Sequence, residues 1–240
     1  MNKAFVLGYP VALLPKADLL SQLHHNLAEG HHQHVVTLNP EMLMAGEKNE
    51  RLGQILKSAD IILPDGAGVV WALRYKKEGR VTRIPGIDFA EALIAHATSH
   101  QESIALIGAS PEVNAATETM LKQKYPGLVV TYSHHGFSED KAAIAQACAQ
   151  TQPKYVFVAL GVPAQEFWID QFKALFIQPT VFIGVGGSFD VWSGTKKRAP
   201  DLFLHLNLEW LYRITSEPWR IGRVYKPLPS FVFRVLAEKH

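Results

Sequence analysis

Short apolar runs rich in β-branched residues recur along the chain: Ala4–Leu7, His34–Leu38, Ile61–Leu63, Ser103–Ile107, Leu128–Tyr132, Tyr155–Leu160 and Thr180–Val185. Between them, apolar residues return every three or four positions at Lys16–Ala28, Pro40–Ala59, Asp88–Thr98, Pro111–Lys124, Lys141–Gln150 and Ala164–Ala174. The first set has the length and residue types of buried strands, the second the period of amphipathic helices. Regular alternation of the two predicts an α/β fold, a Rossmann-like and largely parallel sheet with flanking helices.

After Asp190 the alternation stops. The segment "KKRAPDLFLHLNLEWLYRIT" reads as one helix with an apolar face. Ser216-Glu217-Pro218 breaks it, "KPLP" breaks the chain again, and Ser230 is placed to cap a last short helix. The expected division is therefore a catalytic α/β domain over 1–192 and a basic, helical C-terminal appendage over 193–240.

Charge sharpens that division. The net charge of the 240 residues is only +2. Residues 193–240 nevertheless carry nine Lys/Arg against four Asp/Glu, and the remainder is slightly acidic. Trp219, Tyr225, Phe231 and Phe233 interleave with Arg220, Arg223, Lys226 and Arg234. Basic and aromatic residues mixed in this way suit an anionic membrane surface, with Trp219, Phe231, Phe233, Lys226 and Arg234 as the contacts. The same mixture would suit a nucleic acid, or simple docking onto the main domain; no nucleic-acid partner is expected.

In open parallel sheets, ligands sit beyond the carboxyl ends of the strands. The residues at those ends are Thr37-Leu38-Asn39-Pro40-Glu41, Pro64-Asp65-Gly66-Ala67-Gly68, Gly108-Ala109-Ser110-Pro111, Gly161 to Glu166, and Gly184 to Asp190. Glycines, hydroxyls and helix starts describe a cleft lined with N–H donors, suited to a phosphate-bearing ligand. Asp65 stands out as a carboxylate between a buried strand and two glycines. It is either a helix cap or a working group at the mouth of the cleft. Glu41 and Glu166 open predicted helices, where acids are favoured. Glu209 is spaced to pair with Arg213 one turn on, and Asp190 to anchor the turn into the basic segment.

Other residue types narrow the chemistry. The lone Cys148 excludes an internal disulfide framework and, within the Ala-rich "KAAIAQACAQ", reads as a small core residue. The histidines at 24–25, 31–34 and 134–135 lack ligand spacing, so no metal site is expected. Asp-x-Asp, the pair that metal-dependent sugar transferases often use, occurs nowhere in the chain. No signal peptide is read at the N-terminus, and no run approaches the ~18 apolar residues of a spanning helix. The expected setting is cytoplasmic, peripheral on the inner face of the cell membrane. Oligomeric state is left open, a homo-oligomer included.

The motifs "TLNPEMLMAGEKN", "ILPDGAGVVWALR", "RIPGID", "ALIGASPEV", "YPGL", "HGF", "VALGVPAQEFWI", "GVGGSFDVWSGTKKRAP" and "LEWLYRITSEPWRIGR" follow one another from about residue 5 to residue 223. In order and spacing this resembles the WecG/TagA/CpsF glycosyltransferases. The resemblance implies an inverting transfer of N-acetylmannosamine from a UDP-sugar donor to N-acetylglucosamine on a polyisoprenoid diphosphate, for teichoic acid or capsule-type polysaccharide. It also implies roles: Asp65 as catalytic base, Thr37 and Asn39 in the adjoining pocket, Arg83 at the rim, and Gln165 in the Gly-x-Pro-x-Gln-Glu loop. Arg213, Arg220 and Arg223 would be appendage groups that close over the site and hold diphosphate. Ala164 departs from the lysine of many members.

The chemistry agrees with those positions. A base must take the acceptor's hydroxyl proton, and positive charge must stabilise the departing UDP. Guanidinium groups bind diphosphate bidentately, so arginines can stand where other enzymes use a metal, and no cofactor is expected. Three alternatives remain open on the sequence: transfer of the uronic acid of the same sugar, a dinucleotide-dependent oxidoreductase built on Gly184-x-Gly186-Gly187, and a membrane-docked binding protein. The oxidoreductase fingerprint lacks its last glycine, which is Phe189, and no clear helix is expected after it.

Overall fold

The computed structural model of the chain describes residues 3–78, 81–206, 208–216, 222 and 227–238, with His205, Arg213 and Ser216 described by their backbone alone. Six parallel strands form the central sheet: β3 (Gln33–Leu38), β4 (Ile61–Pro64), β5 (Ser103–Gly108), β6 (Val129–His134), β7 (Tyr155–Ala159) and β8 (Val181–Gly184). Their spatial order is β4-β3-β8-β7-β5-β6. Strands β4, β7 and β8 are buried at every position, as expected of a parallel sheet covered on both faces. Only β6, at the edge, stays half-exposed.

Successive strand residues point to opposite faces, which separates the core into layers. Val35, Leu63, Leu106, Phe157 and Ile183 meet α1 (Lys16–Ala28), α5 (Gly86–Ser99) and α6 (Pro111–Lys124). Val36, Leu38 and Ile62 meet α2 (Pro40–Lys48), α3 (Glu50–Ser58) and α4 (Ala67–Tyr75) on the other face. There Ile107, Val158 and Phe182 meet α7 (Lys141–Gln150) and α8 (Ala164–Phe172). Cys148 is fully buried in this last layer, and burial pushes its thiol up to about 12, as a structural cysteine requires.

Several expectations need correction. The first apolar run is no part of the main sheet. Strand β1 (Lys3–Val6) pairs antiparallel with β2 (Tyr9–Ala12), a strand that the sequence reading did not include. Leu7 and Gly8 form the two-residue turn, with φ of 50° and 78°, the combination a hairpin turn demands. The stretch Pro40–Ala59 is two helices. Asn49 adopts extended backbone and its Oδ1 accepts from Leu52 N at 3.0 Å, so it ends α2 and caps α3. A short helix, α9 (Ser188–Trp192), does follow the Gly184–Gly187 loop.

The C-terminal part also differs. The expected long helix is α10 (Asp201–His205) and α11 (Glu209–Ser216), with the Leu208 N–H turning back to Phe203 O at 2.8 Å as at a helix end. Pro227 and Pro229 do not break a helix; they lie in the first turn of α12 (Pro227–Ala237), where no backbone N–H is needed. Ser230 therefore sits inside that helix. Phe231 and Val235, one turn apart, are fully buried against Met42, Val69 and Leu73 of α2 and α4. Phe231 is thus a core residue and not a membrane contact. Arg234 forms an ion pair with Glu47, whereas Phe233 is 73% exposed. Lys196 and Arg198 likewise pair with Asp190 and Asp88 of the main domain.

Candidate active site

The carboxyl ends of β3, β4, β7 and β8 converge on two adjoining cavities of about 490 and 210 Å³. Asn39, Glu41, Asp65 and Glu209 line both, so they form the wall between the two lobes.

Asp65 follows β4 directly. Its backbone N–H donates to Leu63 O at 2.9 Å and to Leu38 O at 3.2 Å, which ties the turn to the neighbouring strand β3. The helix that follows, α4, has Gly66 at its N-cap position and no side-chain cap. Asp65 is therefore not a cap, and of its two sequence readings the working group at the cleft is the one the geometry supports. The glycines beside it serve packing first. A Cβ on Gly66 or Gly68 would come within 2.7 or 2.6 Å of the Pro40 ring, so α4 can lie against the start of α2 only with glycine there.

Arg83 fixes the aspartate. Its Nε donates to Asp65 O at 2.5 Å, and its Nη2 lies 3.5 Å from Asp65 Oδ1. The same Nη2 donates to Glu209 Oε2 at 2.5 Å. Glu209 was read from the sequence as a partner of Arg213, whose side chain lies outside the described residues; in the fold it accepts from Arg83. Nothing local to "LEWLYR" points to a partner so far away in the chain. With side-chain exposures of 12% and 7%, the Arg83–Glu209 pair is largely shielded from water, where charge pairs act most strongly.

Thr37 lines the smaller lobe and packs against the start of α5. A Cβ on Gly86 would sit 2.5 Å from Thr37 Cγ2 and 3.4 Å from Asp65 Oδ2, so glycine lets that helix start beside both residues. Asn39 caps α2, its Oδ1 accepting from Met42 N at 2.9 Å.

Gln165 is 2% exposed and clamped at both ends. Its Nε2 donates to Glu166 Oε1 at 2.8 Å, and its Oε1 accepts from Gly186 N at 3.1 Å. A side chain on Gly184 would strike Gln165 Nε2 at 2.3 Å, which accounts for that glycine without any dinucleotide. Gln165 thus shapes the β8–α9 loop as well as lining the smaller lobe. Glu166 was read as an acid favoured in the first turn of a helix, and it does stand in the first turn of α8. It is also 1% exposed, its Oε2 has no hydrogen-bond partner, and burial pushes its carboxyl up to about 7.

The structure therefore brings together Thr37, Asn39, Asp65, Arg83 and Gln165. Arg220 and Arg223, with Trp219 and Lys226, lie outside the described residues. The sequence reading missed Glu209 and the apolar walls of the larger lobe. The histidines form a different feature: His24 stacks on His96 at 3.7 Å and His96 on His100 at 3.9 Å. Among the described residues no group of three or more His, Cys, Asp or Glu side chains is arranged to hold a metal ion. Among them, too, no helix is long and apolar enough to cross a membrane.

These features define a class: an α/β protein with a two-lobed ligand site at the carboxyl ends of parallel strands and a carboxylate between the lobes. Residues 4–240 match the model of the Glycosyl transferase WecG/TagA/CpsF family. The chain is 39% identical over 205 residues to the N-acetylglucosaminyldiphosphoundecaprenol N-acetyl-beta-D-mannosaminyltransferase of Bacillus spizizenii, across 85% of this chain and 79% of that one. To the protein of the same name from Staphylococcus aureus it is 35% identical over 206 residues, across 85% and 80%. The chain belongs to the WecG/TagA/CpsF glycosyl transferase family. That membership sets aside the oxidoreductase and the non-catalytic alternatives.

Proposed function

We propose that this protein transfers N-acetylmannosamine from UDP to N-acetylglucosamine carried on a polyisoprenoid diphosphate, with inversion at the anomeric carbon. One observation carries the reading: Asp65 caps no helix and stands in the wall shared by the two lobes. A group placed there reaches a donor in one lobe and an acceptor in the other. The acceptor hydroxyl gives its proton to the Asp65 carboxylate as its oxygen bonds to the anomeric carbon. The bond from that carbon to the donor phosphate breaks, and its electron pair leaves with UDP. Arg83 holds Asp65 in place through the backbone carbonyl and the carboxylate. The smaller lobe, with Thr37, Gln165 and the Gly186-Gly187 backbone, suits the donor.

The names of the relatives support N-acetylmannosamine over its uronic acid, and a lipid-diphosphate acceptor. The resemblance gives the departing diphosphate to Arg213, Arg220 and Arg223, and no metal is required when guanidinium groups take that charge. A polyisoprenoid acceptor stays in the bilayer, so the enzyme has to work at the membrane surface, on the inner face where nucleotide sugars are made. Exposed Leu202, Leu206, Trp210 and Phe233 in the C-terminal segment support such attachment. The test is a panel of UDP-sugars against a lipid-diphosphate N-acetylglucosamine analogue. UDP-N-acetylmannosamine alone should yield product, and product from UDP-N-acetylmannosaminuronic acid instead would overturn the sugar assignment.

A further inference from the structure

Among the described residues, the larger lobe is polar at Arg83 and where it meets the smaller one. The residues it shares, Asn39, Glu41, Asp65 and Glu209, all carry polar side chains. Among the described residues, apart from Arg83, every residue that lines it alone is apolar or glycine, with walls formed by Trp71, Trp210, Leu228, Phe231 and Val232. Three helices build these walls. Trp71 stands on α4, about 6 Å along the axis from Ala67 at its start. Trp210 stands on α11, and Leu228, Phe231 and Val232 on α12. Phe231 Cε1 would lie 3.4 Å from a Cβ on Gly68, so that glycine leaves room between the two helices.

The apolar lining does not end inside the lobe. Trp71 meets Phe231 edge-on at 6.4 Å on one side and stacks on Tyr75 at 5.7 Å on the other. Trp71, Tyr75 and Trp210 are 38%, 43% and 42% exposed, so aromatic surface continues from the interior to solvent. Partly exposed tryptophan rings around a deep apolar slot are costly to leave in water unless something covers them.

We propose that this lobe binds the isoprenoid chain of the acceptor next to its diphosphate. The inference rests on the acceptor class assigned above, and on the continuity of the lobe with Asp65. A ligand whose sugar hydroxyl sits at Asp65 directs the rest of its length into the lobe, and there the lining turns from polar to apolar. That order, polar groups at the hydroxyl and hydrocarbon beyond, matches a polyisoprenoid diphosphate sugar, whose sugar and hydrocarbon lie at opposite ends. Protein atoms thus take over the first apolar units while the remainder of the chain stays in the bilayer, so the acceptor need not leave the membrane entirely.

Two soluble acceptor analogues test this without membranes: N-acetylglucosamine diphosphate esterified with farnesol, and the same compound esterified with methanol. Binding is read by calorimetry and transfer by product formation. The wild-type protein should bind the farnesyl compound at least tenfold more tightly than the methyl compound. Trp71→Glu and, separately, Val232→Asp each set a charge in the lobe, and in each the preference should fall to within twofold. Circular dichroism checks that each variant is folded; having two variants guards against one that is not. Equal binding of both analogues by the wild type, or an unchanged preference in folded variants, overturns the proposal. Tail preference without transfer from UDP-N-acetylmannosamine leaves the lobe assignment standing and removes the proposed activity. Transfer without tail preference does the reverse.

Discussion

Arg83 and Glu209 stand 126 residues apart in the chain, yet Arg83 Nη2 donates to Glu209 Oε2 at 2.5 Å. The bond connects the C-terminal segment to the guanidinium that holds Asp65. Removing either partner leaves the other charge shielded from water with fewer contacts. Arg83→Ala and Glu209→Ala should each lower stability by about 1–3 kcal/mol, and a double-mutant cycle should give a coupling of at least ~1 kcal/mol. Denaturant titration of the four proteins measures it; a coupling near zero would show that the pair does not act in solution.

Asp65→Asn keeps the size of the side chain and removes its capacity to take a proton. Turnover should fall by about a hundredfold or more, with UDP binding and melting temperature nearly unchanged. The helix-cap reading makes the opposite forecast, a loss of about 1 kcal/mol in stability with little kinetic effect. Full turnover in a folded Asp65→Asn protein would remove Asp65 from the mechanism.

Gly86 lets α5 start against Thr37. An alanine there would put its Cβ 2.5 Å from Thr37 Cγ2, so the helix or Thr37 must move. Gly86→Ala should therefore cost about 1–3 kcal/mol of stability and reduce turnover, since Asp65 Oδ2 lies against the same turn. A variant as stable and as active as the wild type would mean that the start of α5 shifts freely.

Buried titratable groups set opposing pH limits. Burial holds the Glu166 carboxyl neutral up to about pH 7, whereas in the unfolded chain it ionises near its ordinary value of 4.5. Unfolding then releases a proton between those values, so this group's contribution falls as pH rises from 4.5 to 7, by about 3 kcal/mol in all. Glu166→Gln should remove that loss, raising the melting temperature at pH 8 by roughly 5–10 °C and changing it little near pH 5. Equal shifts at both pH values would contradict the neutral carboxyl. His34 and His24 act the other way: burial lowers them to about 3 and 4, so stability falls as pH drops below about 6.5.

Transfer should survive EDTA. If EDTA abolishes product formation and Mg²⁺ or Mn²⁺ restores it, arginine does not replace a metal here, and the charge on the departing UDP is held by a cation bound with the substrate.

The sequence by itself determined the sheet and the residues at its edge. Buried parallel strands read as unbroken apolar runs because both their faces are covered, and the loop that follows each run is where ligands gather. Asp65, Thr37, Asn39 and Gln165 were legible for that reason, each being within a few residues of a strand end. What the sequence could not decide was which side chains meet across the fold. Strand β2 went unread, although its Pro10 lies in a two-stranded hairpin, where a missing N–H costs nothing. Phe231 carried the same basic-aromatic signature as Phe233, and only the docking of α12 on α2 and α4 put one inside and left the other in water. Glu209 meets Arg83, 126 residues away in the chain, because a charge shielded from water gains most from the partner that tertiary packing sets against it, and sequence spacing carries no record of that packing.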